Sequence, residues 1–239
     1  MKYSMWMMVL VVLVSVSGSV IANEMGEVKE KGFVKLFDGK SLKGWRVSKP
    51  KMKKAWVVRD GVIVGDGNKG VCYLVTERAD YVNFELKLKY RFDGKANSGI
   101  GVRVRKDKTG KREFQSYHAD LGHVGNKILG EWDFHTPSRK EHACHRGKRL
   151  VIDEHDRPTV TDIKDALTFK DVKKGGWNEV HLVVKENRFQ FYVNGKLASE
   201  FTEHLPKEKR LLKGAINLQI HDPGMVVRFK DIRIKELKK

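Results

Sequence analysis

Polar side chains stand in strand-like stretches at positions that alternation turns away from apolar neighbours. In Glu113–Leu121 the set Tyr117, Ala119 and Leu121 is the more apolar, which leaves His118 and Asp120 together on the opposite face. In Gly130–Phe134, Trp132 and Phe134 are apolar, so Glu131 and Asp133 share the other side. In Ala215–His221, Ile216, Leu218 and Ile220 alternate with Asn217, Gln219 and His221. Arg103 and Arg105 alternate in the same way with Val102 and Val104. Imidazoles titrate near neutrality and serve as general acids or bases. Two carboxylates on one face can divide acid and nucleophile roles at a glycosidic bond. An arginine can steady a developing oxyanion.

Each of these has a plainer reading. Glu131 and Asp133 would also suit hydrogen-bonding surface positions of an ordinary strand. Jelly-roll glycosidases of the laminarinase type carry a third carboxylate three residues after the second, and here that position is Thr136. His118, His123, His135, His142 and His145 crowd one short stretch, and His142 and His145 could ligate a metal if that segment were helical. Trp45, Trp56, Trp132 and Trp177 could stack on sugar rings, but Trp45 and Trp56 read as core anchors.

The elements that must position these groups repeat every two residues. Phe84, Leu86, Leu88, Tyr90 and Phe92 alternate with charged residues, the pattern of a half-buried antiparallel strand. Val180–Val184 and Phe189–Val193 continue it, and Asn194-Gly195 turns the chain into Leu197–Phe201. Further strands are expected at Phe33–Phe37, Ala55–Arg59, Val62–Val64, Cys72–Thr76 and Met225–Leu237. In the last, the apolar phase shifts from Val227 and Phe229 to Ile232 and Ile234, which predicts a bulge near Lys230-Asp231. One short helix is expected at Thr161–Phe169, capped by Thr161 or Asp162. This is the signature of an all-β sandwich or jelly roll.

Residues 1–22 read as a signal peptide: Lys2, an apolar stretch from Trp6 to Val16, then small residues leading to cleavage after Ala22. The expectation is a periplasmic or secreted protein with one domain over 23–239 and no transmembrane anchor after cleavage. Cys72 and Cys144 could pair after export or remain separate thiols. The net charge of +18 suggests nucleic acid at first sight. Export and the absence of a nucleic-acid-binding motif argue against that. Solvated strand faces, or attraction to an acidic glycan, account for the charge instead.

The ordered motifs resemble a known family. Gly32–Trp45, with Leu36-Phe37-Asp38-Gly39-Lys40 at its centre, resembles the opening of the 3-keto-disaccharide hydrolase domain family. Trp56–Ile63, Asn83–Leu86, Asn97–Ile100, Gly176–Val180, Val193–Lys196, Leu218–His221 and Phe229–Leu237 are similar to its later motifs, in order. Tyr117–Gly122 is similar to a further one, with His118 where glutamine is usual. The resemblance implies a concanavalin A-like jelly roll and cleavage of glycosides oxidised at the sugar C3. For such a reaction His221 or His118 is the candidate base, and Arg103 the partner of the enolate oxygen. Asp120 or Glu131 would protonate the leaving group, orient a histidine or ligate a divalent cation. Asn97, Gln219, Asp133 and Arg103 would bind substrate. The alternatives are a lectin-like module without catalysis and a conventional glycosidase using Glu131 and Asp133.

Overall fold

Sixteen strands account for about half of the described residues in the computed structural model, which describes residues 30–136 and 143–238. They are β1 Val34–Lys35, β2 Trp45–Val47, β3 Trp56–Arg59, β4 Val62–Asp66, β5 Cys72–Thr76, β6 Phe84–Phe92, β7 Asn97–Lys106 and β8 Phe114–Gly122. β9 Trp132–His135, β10 Lys148–Ile152, β11 Pro158–Asp162, β12 Asn178–Lys185, β13 Arg188–Val193, β14 Lys196–Glu203, β15 Ala215–Ile220 and β16 Val226–Glu236 follow. The expected signal peptide and His142 lie outside the described residues. Among the described residues no helix is long and apolar enough to cross a membrane.

Alternation decides the layers. A ten-stranded sheet runs β11-β10-β14-β13-β12-β6-β16-β4-β3, with β1 added alongside β16. A six-stranded sheet runs β2-β5-β15-β7-β8-β9. Pairing is antiparallel throughout except between β10 and β14. Phe84, Leu86 and Leu88 from the first sheet and Ile100, Tyr117, Trp132 and Leu218 from the second are buried in one apolar core. Trp45 and Trp56 belong to it, as the sequence indicated. The all-β, two-sheet architecture is the jelly-roll sandwich expected from the strand pattern.

Local chemistry fixes the turns. Asn194 and Gly195 both have positive φ, 49° and 79°, the conformation that lets a two-residue turn follow strand twist. In β16 the register slips between Lys230 and Arg233 and Asp231 takes φ 54°, the bulge that the phase shift foretold.

The expected helix at Thr161–Phe169 is absent. Thr161 and Asp162 end β11, Asp165 turns at φ 55°, and only a 3₁₀ turn forms, at Phe169–Asp171. The apolar spacing of Ile163 and Leu167 is met instead by a loop whose amides bond distant carbonyls: Ile163 N to Gly147 O and Leu167 N to Leu197 O. Tertiary hydrogen bonds outcompete a helical turn there. Cys72 and Cys144 are separate buried thiols, and burial pushes Cys144 up to about 12.

Candidate active site

The six-stranded sheet turns one face to the core and the other away from it, and glycines shape the second face. In β7, Gly99 and Gly101 fall on that outer face, between β15 and β8. A Cβ at Gly99 would lie 2.0 Å from His118 Nε2, and one at Gly101 would lie 2.4 Å from Asn217 Oδ1. The strand therefore forms a trough into which the His118 ring and the Asn217 amide reach from either side. Asn217 Oδ1 accepts the Gly101 N–H at 2.9 Å.

Cross-strand register builds the rest. Gly101 pairs with His118, which pairs with Asp133, and Gly99 pairs with Asp120. Asp120 and the Gly130-Glu131 segment exchange backbone bonds: Asp120 N donates to Glu131 O and Gly130 N to Asp120 O. His118, Asp120, Glu131, Asp133 and Gln219 thus come together on one face, as alternation required. All are buried, although they point away from the apolar core.

His118 is the centre of this row. It is 1% exposed, its ring stacks on His135 with centroids 4.8 Å apart, and Asp120 Oδ1 lies 3.7 Å from its Nε2. Neither ring nitrogen has a hydrogen-bond partner. The Gln219 amide is close enough to influence the ring, yet donates its Nε2 hydrogen to Tyr73 Oη at 3.2 Å. Burial, reinforced by the neighbouring His135, lowers the His118 pKa to about 3, so the ring is neutral under physiological conditions. His135 is held by Asp133, Oδ2 to Nε2 at 2.9 Å, and Glu131 Oε1 meets His145 Nδ1 at 3.2 Å.

His221 follows the last residue of β15 and is exposed. Its Nδ1 meets Asp222 Oδ1 at 2.7 Å, which leaves Nε2 as the ring's acceptor. The ring is near enough to His118 to influence it electrostatically. The Oδ1 of Asn97 is buried without a hydrogen-bond partner.

Arg103 departs from expectation. The register slips between Val102 and Arg105, and Arg103 takes φ 51°, a bulge that turns its side chain inward. It is 2% exposed and donates to the carbonyls of Val82, Leu211 and Glu186, with its guanidinium 4.8 Å from the Phe189 ring centroid. Burial lowers its pKa to about 10. Arg103 is a core clamp, removed from the substrate-binding and enolate-stabilising roles. Among the described residues no group of three or more His, Cys, Asp or Glu side chains could hold a metal ion.

Three contributors were not singled out from the sequence. Tyr73 and Asp222 carried no signal beyond their residue type. The Gly99–Gly101 spacing did carry one, since glycine inside a strand marks a close approach.

A family model described as "3-keto-alpha-glucoside-1,2-lyase-like domain" matches residues 32–235. The chain belongs to this family. As a member of the 3-keto-α-glucoside-1,2-lyase-like family it is 32% identical to a Bacteroides thetaiotaomicron protein named 3-keto-disaccharide hydrolase, over 95% of this chain and 87% of the relative. Among solved structures, a Parabacteroides distasonis protein provisionally named a glycosyl hydrolase superposes with TM-score 0.58 at 22% identity, covering 87% of this chain and 94% of the other. A Bacillus subtilis protein with a galectin-like fold gives TM-score 0.53 at 9% identity, covering 85% and 98%. These two likenesses concern the fold. Within the family's opening motif, Asp38 caps Lys40 N and Ser41 N, and Trp45 Nε1 donates to Leu36 O, so that stretch is scaffold.

Proposed function

We propose that the protein is a carbohydrate-active hydrolase that cleaves glycosides carrying a ketone at C3, by elimination followed by hydration. Family membership and the named relative support the substrate class. The observation that carries the assignment of roles is the buried, unpartnered and neutral His118 beside Asp120, within electrostatic reach of the His221–Asp222 pair.

A C3 ketone acidifies the C2 hydrogen. His221 removes that proton through Nε2, with Asp222 holding the other ring nitrogen, and the C2–H electrons pass into an enolate at C3. The enolate oxygen needs a donor. Arg103 is unavailable, and a neutral imidazole in a desolvated site donates without carrying charge, so His118 takes this role. As the C3 carbonyl re-forms, a C1=C2 bond forms and the C1–O bond breaks. Asp120 or Glu131 supplies the proton that the departing oxygen requires. Water then adds across C1=C2, hydroxyl to C1 and hydrogen to C2, so the net reaction is hydrolysis. Asn97 and Gln219 bind ring hydroxyls, and Asp133 orients His135 beside His118.

The test is release of nitrophenol from 4-nitrophenyl 3-keto-α-glucoside, with and without a chelator. The expected result is turnover that His221→Ala lowers by about 10²–10⁴-fold, the range of general acid–base catalysis, while the melting temperature holds. No release above background by the wild-type protein under either condition overturns the reading. Export, suggested by the N-terminal leader, fits a substrate met outside the cytoplasm; a cell fractionation that finds the mature protein only in the cytoplasm would contradict it.

A further inference from the structure

Beyond the polar row, the same outer face of the six-stranded sheet changes character. Past the Arg103 bulge, Val104 emerges on this side and joins Val75, Phe114 and Ala215 in a small apolar cluster separate from the main core. These four floor a groove of about 610 Å³. Its rim carries Arg46, Arg105, Lys106, Lys207, Arg210 and Lys213 against two acids, Glu113 and Glu208. Glu113 already faces Lys49 at 3.8 Å. Arg105 donates to Gln115 Oε1. Among the described residues, Arg46, Lys106, Lys207 and Lys213 have no ion pair. The Nε of Arg210 is buried without a hydrogen-bond partner.

The groove is continuous with the polar row. The Tyr73 ring packs edge-on against Phe114, centroids 5.4 Å apart, while its hydroxyl accepts from Gln219, whose amide borders His118. An apolar floor suits the C–H face of a pyranose. A cationic rim with unpaired lysines suits an anion that the sugar itself carries.

We propose that this groove is a subsite for a negatively charged pyranose, carboxylated or sulfated, in the same saccharide whose bond the polar row breaks. The subsite role rests on the hydrolase reading; the anion preference stands on the groove alone. A neutral disaccharide would leave the unpaired rim charges facing each other, whereas a uronate or sulfate ester neutralises them.

The experiment compares binding of the full protein to polygalacturonate, dextran sulfate and neutral dextran at matched salt. The groove variant Lys106→Gln/Lys207→Gln/Lys213→Gln is set beside Lys51→Gln/Lys53→Gln/Lys54→Gln, which removes the same charge from a different exposed surface. The expected result is a preference for at least one polyanion over dextran, weakened about tenfold by the groove variant and under about twofold by the control. Which polyanion is preferred separates carboxylate from sulfate. Equal binding to all three glycans, or equal weakening by both variants, overturns the inference, the latter because diffuse net charge then suffices. Turnover of the neutral 3-keto-glucoside is read separately. Its failure removes the reaction but leaves an anion-selective glycan site, whereas turnover without anion preference does the reverse.

Discussion

Both sheets bury charged or polar groups on the face that points away from the core, and they treat those groups in opposite ways. On the ten-stranded sheet, Glu200 is 2% exposed and fully engaged: Arg149, Arg188 at 2.7 Å and Gln190 at 3.0 Å all donate to it. Those bonds and the two guanidinium charges lower its pKa despite partial desolvation. Three strands along the same sheet, Glu85 is held by Lys235 at 3.0 Å and His181 at 2.9 Å. On the six-stranded sheet, His118 is as deeply buried and has no hydrogen-bond partner, and Asn97 Oδ1 is likewise unmet. A buried polar group left unsatisfied costs roughly 1–3 kcal/mol. A fold that satisfies Glu200 so thoroughly carries that cost at His118, the residue to which the proposed reaction gives a donor role.

The sharpest way to break this contrast is at His118 itself. As a neutral donor it is replaceable by an amide, so His118→Gln should keep turnover within about tenfold, while His118→Leu should lose about 10²–10³ in kcat. If Gln is as damaging as Leu, the ring acts as a base and the proposed division of labour between His118 and His221 is wrong. Next comes the trough. Gly99→Ala places a methyl 2.0 Å from His118 Nε2, and overpacking should cost about 1–3 kcal/mol in urea denaturation and lower activity together. On the other sheet, Glu200→Gln should cost about 1–2 kcal/mol yet leave kcat unchanged below the melting transition. A change in kcat there would mean that the two faces are coupled.

The smallest effect is the acid dependence of stability. His118 has a folded pKa near 3 against about 6.5 unfolded, so between those values the unfolded chain binds the extra proton. Stability therefore rises with pH across that window and is lost as pH falls below about 6.5. Between about pH 6.5 and 5.5 the loss should approach 1 kcal/mol, seen as a lower melting temperature. The His118→Gln protein should lose less over the same interval, and an identical loss would assign the acid sensitivity to other groups.

Much of the architecture was legible because burial imposes a strict period of two. Cys72–Thr76 forms a strand with the expected bounds, and the β16 bulge was written in the jump from Phe229 to Ile232. The same period placed His118, Asp120, Asp133 and Gln219 on one face. It failed at Arg103, where Val102, Arg103, Val104 and Arg105 alternate without fault in the sequence while the backbone inserts a bulge. Nothing in those four residue types reveals a φ of 51°; the bonds to Val82, Leu211 and Glu186 that stabilise it come from far along the chain. The Thr161–Phe169 loop failed for a related reason, since its partners Gly147 and Leu197 are equally nonlocal. β10 and β11 went unread because β11 is exposed along its whole length and shows no inward set.

That last strand has a consequence for how the protein opens. β11 is held by β10 alone, and β10 joins the rest of its sheet through the one parallel ladder, Arg149–Ile152 on Glu200–Glu203. The β11 arm of this hairpin, closed by Asp153 accepting from His155 N and Arg157 N, is therefore an exposed edge, whereas β10 is fixed in the core by Leu150 and Ile152. The outer amides of β11 should be the first to exchange with deuterium, and the hairpin tip is where the chain can be cut and rejoined, or lengthened by a foreign peptide, while the trough behind His118 keeps its shape.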